Sequence, residues 1–110
     1  MNLKRGDVVL IVATGELGKP RPAVVVQSDA LEQTTSILVC PMSSDLEKAE
    51  HVRPIVEPSA GNGVRLRSQM MTDKLVALGR KRVRRLIGRL EAKDSEALDQ
   101  ALLFVLGLAR

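Results

Sequence analysis

The sequence has 110 residues, of which 45% are hydrophobic and 27% charged, with a formal net charge of +4, a single-domain length with an ordinary globular composition. One Phe, no Tyr and no Trp argue against a single-strand binder that stacks bases on aromatic platforms; one Cys excludes an internal disulfide and a Cys-based zinc cluster, and one His excludes a His-pair metal site. No apolar run approaches the roughly 20 residues of a membrane helix, and the first seven residues lack the apolar stretch of a signal peptide, so a soluble cytoplasmic protein without a membrane contact is expected.

Residues 8–13 are apolar and β-branched and predict a buried strand. Residues 14–20, with two Gly and a Pro, predict a loop. A second buried strand is expected over 23–27, a helical turn over 28–33, and a third strand over 37–42 that bends or ends at Pro41. Residues 46–49 suggest another short turn, and 51–56 alternate as a half-exposed strand on which His51 faces solvent. Pro58-Ser59-Ala60-Gly61-Asn62-Gly63 is the clearest turn. Further strands are framed by Val64, Leu66, Met70 and Met71, by 75–78 and by 85–90. Over 94–109, Leu98, Ala101, Leu102, Val105 and Leu108 follow helical spacing behind Asp94 as a cap, while Leu103, Phe104 and Leu106 add apolar surface on other faces. Many short strands followed by one C-terminal helix predict a mainly β, single-domain α+β fold, a small barrel or strongly bent sheet with a helix on one side. The surplus apolar surface of the helix predicts a second copy of the chain as its cover.

All of the positive excess comes from one segment. Residues 80–89 hold Arg80, Lys81, Arg82, Arg84, Arg85 and Arg89 and no acid, whereas the other hundred residues carry 11 basic and 13 acidic groups. Such a patch is either a phosphate-binding surface or a strand edge that its charges keep from pairing. Cys40 is expected to be a buried core thiol.

Lys4-Arg5-Gly6-Asp7-Val8, then Arg21-Pro22-Ala23-Val24-Val25-Val26, then Val39-Cys40-Pro41-Met42-Ser43-Ser44 occur in this order, with Leu66-Arg67-Ser68-Gln69 after the glycine turn. With the C-terminal amphipathic helix, this series resembles the MazF/PemK family of toxin endoribonucleases over nearly the whole chain. The resemblance implies an SH3-like barrel of five to seven strands and a homodimer. It implies metal-independent cleavage of single-stranded RNA, in which the 2′-hydroxyl attacks the adjacent phosphate and leaves 2′,3′-cyclic phosphate and 5′-hydroxyl ends. It further implies a cognate antitoxin protein that occupies the RNA groove, and no cofactor or metal.

Arg21 matches the family's catalytic arginine, where a rigidly held guanidinium offers two parallel donors to a phosphorane-like transition state; read as a structural residue, it would instead pair with Glu16 or Asp7. Ser43 falls at the family's catalytic Thr or Ser, where a hydroxyl bonds the scissile phosphate or positions the 2′-hydroxyl; the competing reading is a serine that caps the Asp45 turn. Glu16, five residues before Arg21, either orients that arginine, acts as general base, or is a solvated loop acid. Arg65 and Arg67 alternate on one face and suit backbone phosphates. With Lys19, Ser44 and Gln69 they complete the expected RNA contacts. Some relatives carry an acid just before the position of Gln69, where this chain has Ser68. Two other readings compete: a gyrase-binding toxin of the CcdB type, although this chain lacks that type's Trp-Gly-Ile terminus, and a degenerate member that binds RNA or a partner without cutting.

Overall fold

The β-branched runs form strands, and their alternation decides which side of the sheet each residue serves. In the computed structural model, residues 1–12, 19–32 and 34–109 are described; Ala13, the loop residues 14–18 with Glu16, and Gln33 lie outside the described residues. The elements are β1 (Asp7–Ile11), β2 (Arg21–Val25), β3 (Ser36–Ser43), β4 (Ile55–Val56), β5 (Ser68–Met70), β6 (Val76–Gly79), β7 (Val83–Arg89) and α1 (Ala92–Val105), with single 3-10 turns at Thr72–Lys74 and Arg80–Arg82.

The strands form one seven-stranded antiparallel sheet in the order β4-β5-β3-β2-β1-β7, with β6 also paired to β3. Strand β3 is the hub. One edge pairs with β2; along the other, Ser36–Val39 pair with β6, while Met42 and Ser43 pair with β5. Two short strands sharing one edge bend the sheet into the mostly β half-barrel that the sequence predicts.

Alternate residues of β1, β2 and β3 divide between two cores, as a period of two requires. Val8, Val24, Cys40 and Met42 face one side and pack with Val56, Met70, Leu98 and Leu102, so α1 lies on that face. Val9, Ile11, Ala23, Val25, Ile37 and Val39 face the other, with Leu78 and Val83. Cys40 is buried as expected, and desolvation, reinforced by Asp73, pushes its thiol up to about 12.

The Arg-Gly-Asp start is structural. Asp7 accepts hydrogen bonds from the Lys4 N–H (2.7 Å) and from Arg89 Nη1 (2.9 Å). Arg5 donates to the Val26 carbonyl (3.1 Å) and stands 2.9 Å from Asp99 of α1. Both Asp7 oxygens thus serve the N-terminal turn and the β1–β7 pair.

Three expected boundaries move. Helix α1 begins at Ala92 with Glu91 at the N-cap, and Asp94, expected as the cap, falls inside the first turn, 7% exposed. Burial raises its carboxyl pKa; Lys93 opposes the shift, and Glu91 and Glu57 add to it. The helix ends at Val105 rather than 109. Gly107 adopts a φ of +73°, and the N–H groups of Gly107 and Leu108 return to the carbonyls of Phe104 and Leu103, a Schellman stop that a glycine makes inexpensive. The strand expected over 51–56 shrinks to Ile55–Val56, because 51–53 form a turn in which Arg53 is buried against Asp73. His51 is exposed as expected, but on this turn, edge-on to Phe104 with ring centroids 5.3 Å apart.

The turn at 59–63 bridges the sheet's two ends. Asn62, fully buried, accepts from the N–H groups of Ser59 and Val64 and donates to the Glu57 carbonyl. The Arg89 N–H donates to the Gly61 carbonyl at 2.9 Å. Backbone meets backbone here: a Cβ on Gly88 would collide with the Asn62 carbonyl carbon and stand 2.6 Å from Gly61 O, and one on Gly63, whose φ is +69°, would collide with the Ile87 carbonyl.

Candidate functional site

A groove of about 680 Å³ runs between the start of β2, the end of β3, the segment that follows the glycine turn, and β7. Arg21 and Pro22 enter it from β2, and Leu10 from the facing position of β1, opposite Pro22 in the ladder. Ser43, Ser44 and Asp45 enter from the end of β3. Arg65 and Leu66 form the wall contributed by the turn segment, and Arg85 and Ile87 the wall contributed by β7. Arg21, Arg65 and Arg85 are all exposed, so three guanidinium groups face a volume of nucleotide dimensions. Asp45 is the one acid among the described lining residues.

Ser43 is half-buried, and its Oγ accepts the Asp45 N–H at 3.1 Å. This contact occupies a lone pair and leaves the hydroxyl hydrogen available to a phosphate or hydroxyl oxygen. Capping the turn and serving the groove are therefore compatible. Among the described residues, no group of three or more His, Cys, Asp or Glu could hold a metal ion.

The groove thus gathers Arg21, Ser43, Ser44 and Arg65 of the expected set. Lys19 is exposed just before Pro20, which lines the groove. Glu16 lies outside the described residues. Arg67 is exposed but does not line the groove, and its Nε donates to Glu57 at 2.9 Å. Gln69, expected to contact RNA, cannot: it is 0% exposed, with its amide spent on Glu47, Oε1 accepting the N–H at 2.8 Å and Nε2 donating to the carbonyl at 2.5 Å. Ser68 lines the groove but is only 3% exposed, and its hydroxyl donates to the Leu66 carbonyl at 2.8 Å.

The basic segment divides by function. Arg80 donates to the carbonyls of Thr34, Leu31 and Glu32 and holds the 31–34 loop. Arg82 donates to the Val12 carbonyl, and Arg89 pairs with Asp7. Arg85 faces the groove. Sequence reasoning placed Arg85 in the patch without assigning it to the site; the spacing of two between Arg85 and Ile87 on one strand was the signal that separates it from its neighbours. Asp45 and Leu66 were also missed, since loop residues carry no periodicity that assigns them to a face.

Comparison with known proteins identifies the family to which this fold belongs. The sequence model of the "PemK-like, MazF-like toxin of type II toxin-antitoxin system" matches residues 4–106. A protein of Mycolicibacterium smegmatis described as "Probable endoribonuclease MazF" is 34% identical over 108 residues, 97% of this chain and 99% of that protein. The structure of Mycobacterium tuberculosis toxin MazF-mt6 superposes with a TM-score of 0.79 at 21% identity, covering 94% of this chain and 99% of that one. A Deinococcus radiodurans MazE-MazF structure does so at 0.78 and 22% identity, covering 99% and 100%. An endoribonuclease from a mycobacterial species, in complex with its cognate antitoxin, gives 0.82 at 17% identity over 98% of each chain. These likenesses run the length of the fold in which Arg21 and Ser43 share a groove, and the chain belongs to the PemK-like, MazF-like toxins of type II toxin–antitoxin systems.

Proposed function

We propose that this toxin is an endoribonuclease that cuts single-stranded RNA, messenger RNA in the cytoplasm, without a metal. The observation that carries this reading is the meeting of Arg21 and Ser43 in one groove whose other walls bring Arg65 and Arg85. The substrate's own 2′-hydroxyl is the nucleophile: its oxygen bonds to the adjacent phosphorus, the 5′-oxygen leaves, and the products end in a 2′,3′-cyclic phosphate and a 5′-hydroxyl. Arg21 offers two parallel donors to the non-bridging oxygens as their charge grows. Ser43 donates its free hydrogen to the phosphate or holds the attacking hydroxyl in line. Arg65 and Arg85 bind flanking phosphates, and Ser44 adds a further donor at the β3 end. The proton released by the 2′-hydroxyl goes to a carboxylate, for which Glu16 is the family-matched candidate, and the departing 5′-oxygen takes up a proton from water to become the 5′-hydroxyl.

Purified protein incubated with a mixed RNA pool in excess EDTA should generate new 5′-hydroxyl ends at a recurring sequence. Dependence on added magnesium would overturn the mechanism. DNA breaks with intact RNA in cells making the protein would favour gyrase poisoning instead.

The arginine assignments have a quantitative test. Arg65→Ala and Arg85→Ala should each lower the log–log salt slope of binding to an uncleavable 2′-deoxy oligonucleotide by about 0.7, the single-strand value per phosphate contact. Arg80→Ala should leave the slope unchanged, because its guanidinium is committed to the 31–34 carbonyls. Equal slopes for all three would remove Arg65 and Arg85 from the RNA path.

The working unit is proposed to be a homodimer, controlled by a cognate antitoxin that competes for the groove. Leu103, Phe104, Leu106 and Leu108 are 40–59% exposed at the end of α1 and just beyond it, and large apolar side chains exposed together in one short segment mark a contact site. Sedimentation at micromolar concentration should give twice the chain mass, and Phe104→Lys should return it to one chain mass; a wild-type monomer refutes the dimer.

A further inference from the structure

Between the end of β3 and the start of β4 the chain runs for eleven residues, 44–54, without regular structure. This segment begins with Ser44 and Asp45, which line the groove beside Ser43. A loop of that length is ordinarily among the softest parts of a fold, so something must hold the Ser43 end to the sub-ångström placement that acyl- and phosphoryl-type transfers demand.

Three ties converge on one short stretch of chain. In the sheet, Gln69 of β5 is the ladder partner of Ser43 on one side and of Ile55 on the other, so it spans both ends of the loop. Its side chain reaches the loop's early part, holding the Glu47 N–H and carbonyl at 2.8 and 2.5 Å. Past Gln69, the Thr72 hydroxyl bonds the Val52 carbonyl, and Asp73 takes the Arg53 guanidinium in a two-bond fork at 3.0 Å each, with Glu47 Oε2 3.4 Å from the same guanidinium. The fork holds the Asp73 carboxyl below its usual value and raises the Arg53 guanidinium, so the pair stays charged throughout the working range. A neutral primary amide carries a donor and an acceptor that match one residue's C=O and N–H, which gives a reason for glutamine at a fully buried position beside Ser43.

We propose that Gln69 is a positioning residue for RNA cleavage: by clasping Glu47 while pairing with Ser43 it fixes the Ser43–Asp45 corner, and so the direction of the Ser43 hydroxyl. The proposal rests on the endoribonuclease reading and on the role given to Ser43. It separates chemistry from binding. The phosphate-binding arginines come from β2, β7 and the turn segment, so loosening the 44–54 loop should lower kcat and leave KM nearly alone.

The test is a double-mutant cycle in single-turnover cleavage of a short RNA that contains the mapped site, with the folded fraction of every variant verified by urea titration. Ser43→Ala and Gln69→Met should each slow cleavage about tenfold, with KM within about twofold of the parent. The double variant should be no slower than the slower single one, since residues that act as a unit are not additive. A hundredfold loss in the double variant, or a rise in KM as the main effect of Gln69→Met, overturns the proposal. A parent rate for Gln69→Met with parent folding also overturns it. A parent rate for Ser43→Ala overturns the role of Ser43, and the positioning role with it, while leaving the endoribonuclease reading to stand on Arg21; absence of cleavage by the parent overturns that reading itself. Should Gln69→Met fail to fold, Gln69→Glu, which keeps the acceptor for the Glu47 N–H and gives up the donor, enters the same cycle with the same expected non-additivity.

Discussion

Arg21→Ala should lower the rate of RNA cleavage by a hundred- to a thousandfold, about 3–4 kcal/mol of transition-state stabilisation, and should abolish growth arrest when the chain is induced in bacteria. The effect is expected to be selective. Arg21 opens β2 as an exposed residue, opposite Ile11 in the ladder, and the core positions of that strand begin at Ala23. Exposed substitutions away from the core ordinarily change stability by no more than about 0.5 kcal/mol, so the urea midpoint should move little. Lysine at this position should recover only a fraction of the rate, because an ammonium cannot present the planar pair of donors. A parent rate for Arg21→Ala at normal expression would remove this residue from the chemistry. Loss of folding would make it a structural arginine.

The largest effect on stability should come from a single methyl group. Gly88→Ala introduces a Cβ whose nearest neighbours are all backbone, the Asn62 carbonyl and Gly61 O, so no side chain can rotate out of its way. Overpacking of this kind costs about 1–3 kcal/mol, and a contact confined to main chain belongs at the upper end. Urea unfolding followed by far-ultraviolet circular dichroism, suited to a chain without Trp or Tyr, should show the midpoint lowered by roughly 1–2 M. Cleavage should fall as well, because the displaced turn leads directly into Arg65 and Leu66. A parent midpoint would mean that the turn can ride over β7 without cost.

The sequence exposes what is local. The β-branched runs are strands because their alternation supplies both cores, whereas the stop at Gly107 is overridden in the sequence by an apolar spacing that runs on to Leu108. Arg21 and Ser43 entered the candidate set through their match to the positions of a family motif, and both line the groove. What was not legible depends on partners far away in the chain. Gln69 reads as a polar residue on a strand, and nothing near it tells that Glu47, 22 residues earlier, consumes both ends of its amide. Arg53 reads as the exposed member of an alternating pair until Asp73 arrives to bury it. Asp94 is a better cap by residue type than Glu91, yet the helix starts earlier, and the N-cap carries no side-chain capping bond. Within the basic run, charge alone treats Arg80 and Arg85 alike, whereas carbonyl groups of the 31–34 loop occupy one and leave the other to the groove.

The pairing of β1 with β7 has a consequence for the cell that makes this protein. Asp7 meets Arg89 across that pair, so the sheet joins residues separated by 82 positions. The groove needs Leu10 and Arg21 from the first strands and Arg85 and Ile87 from the last. Contacts so distant in sequence form late, and during synthesis a nascent chain that has not yet extended past β7 lacks the Arg85 and Ile87 wall of its groove and the strand that closes the sheet onto β1. The groove is thereby expected to be complete only when nearly all of the domain has been translated.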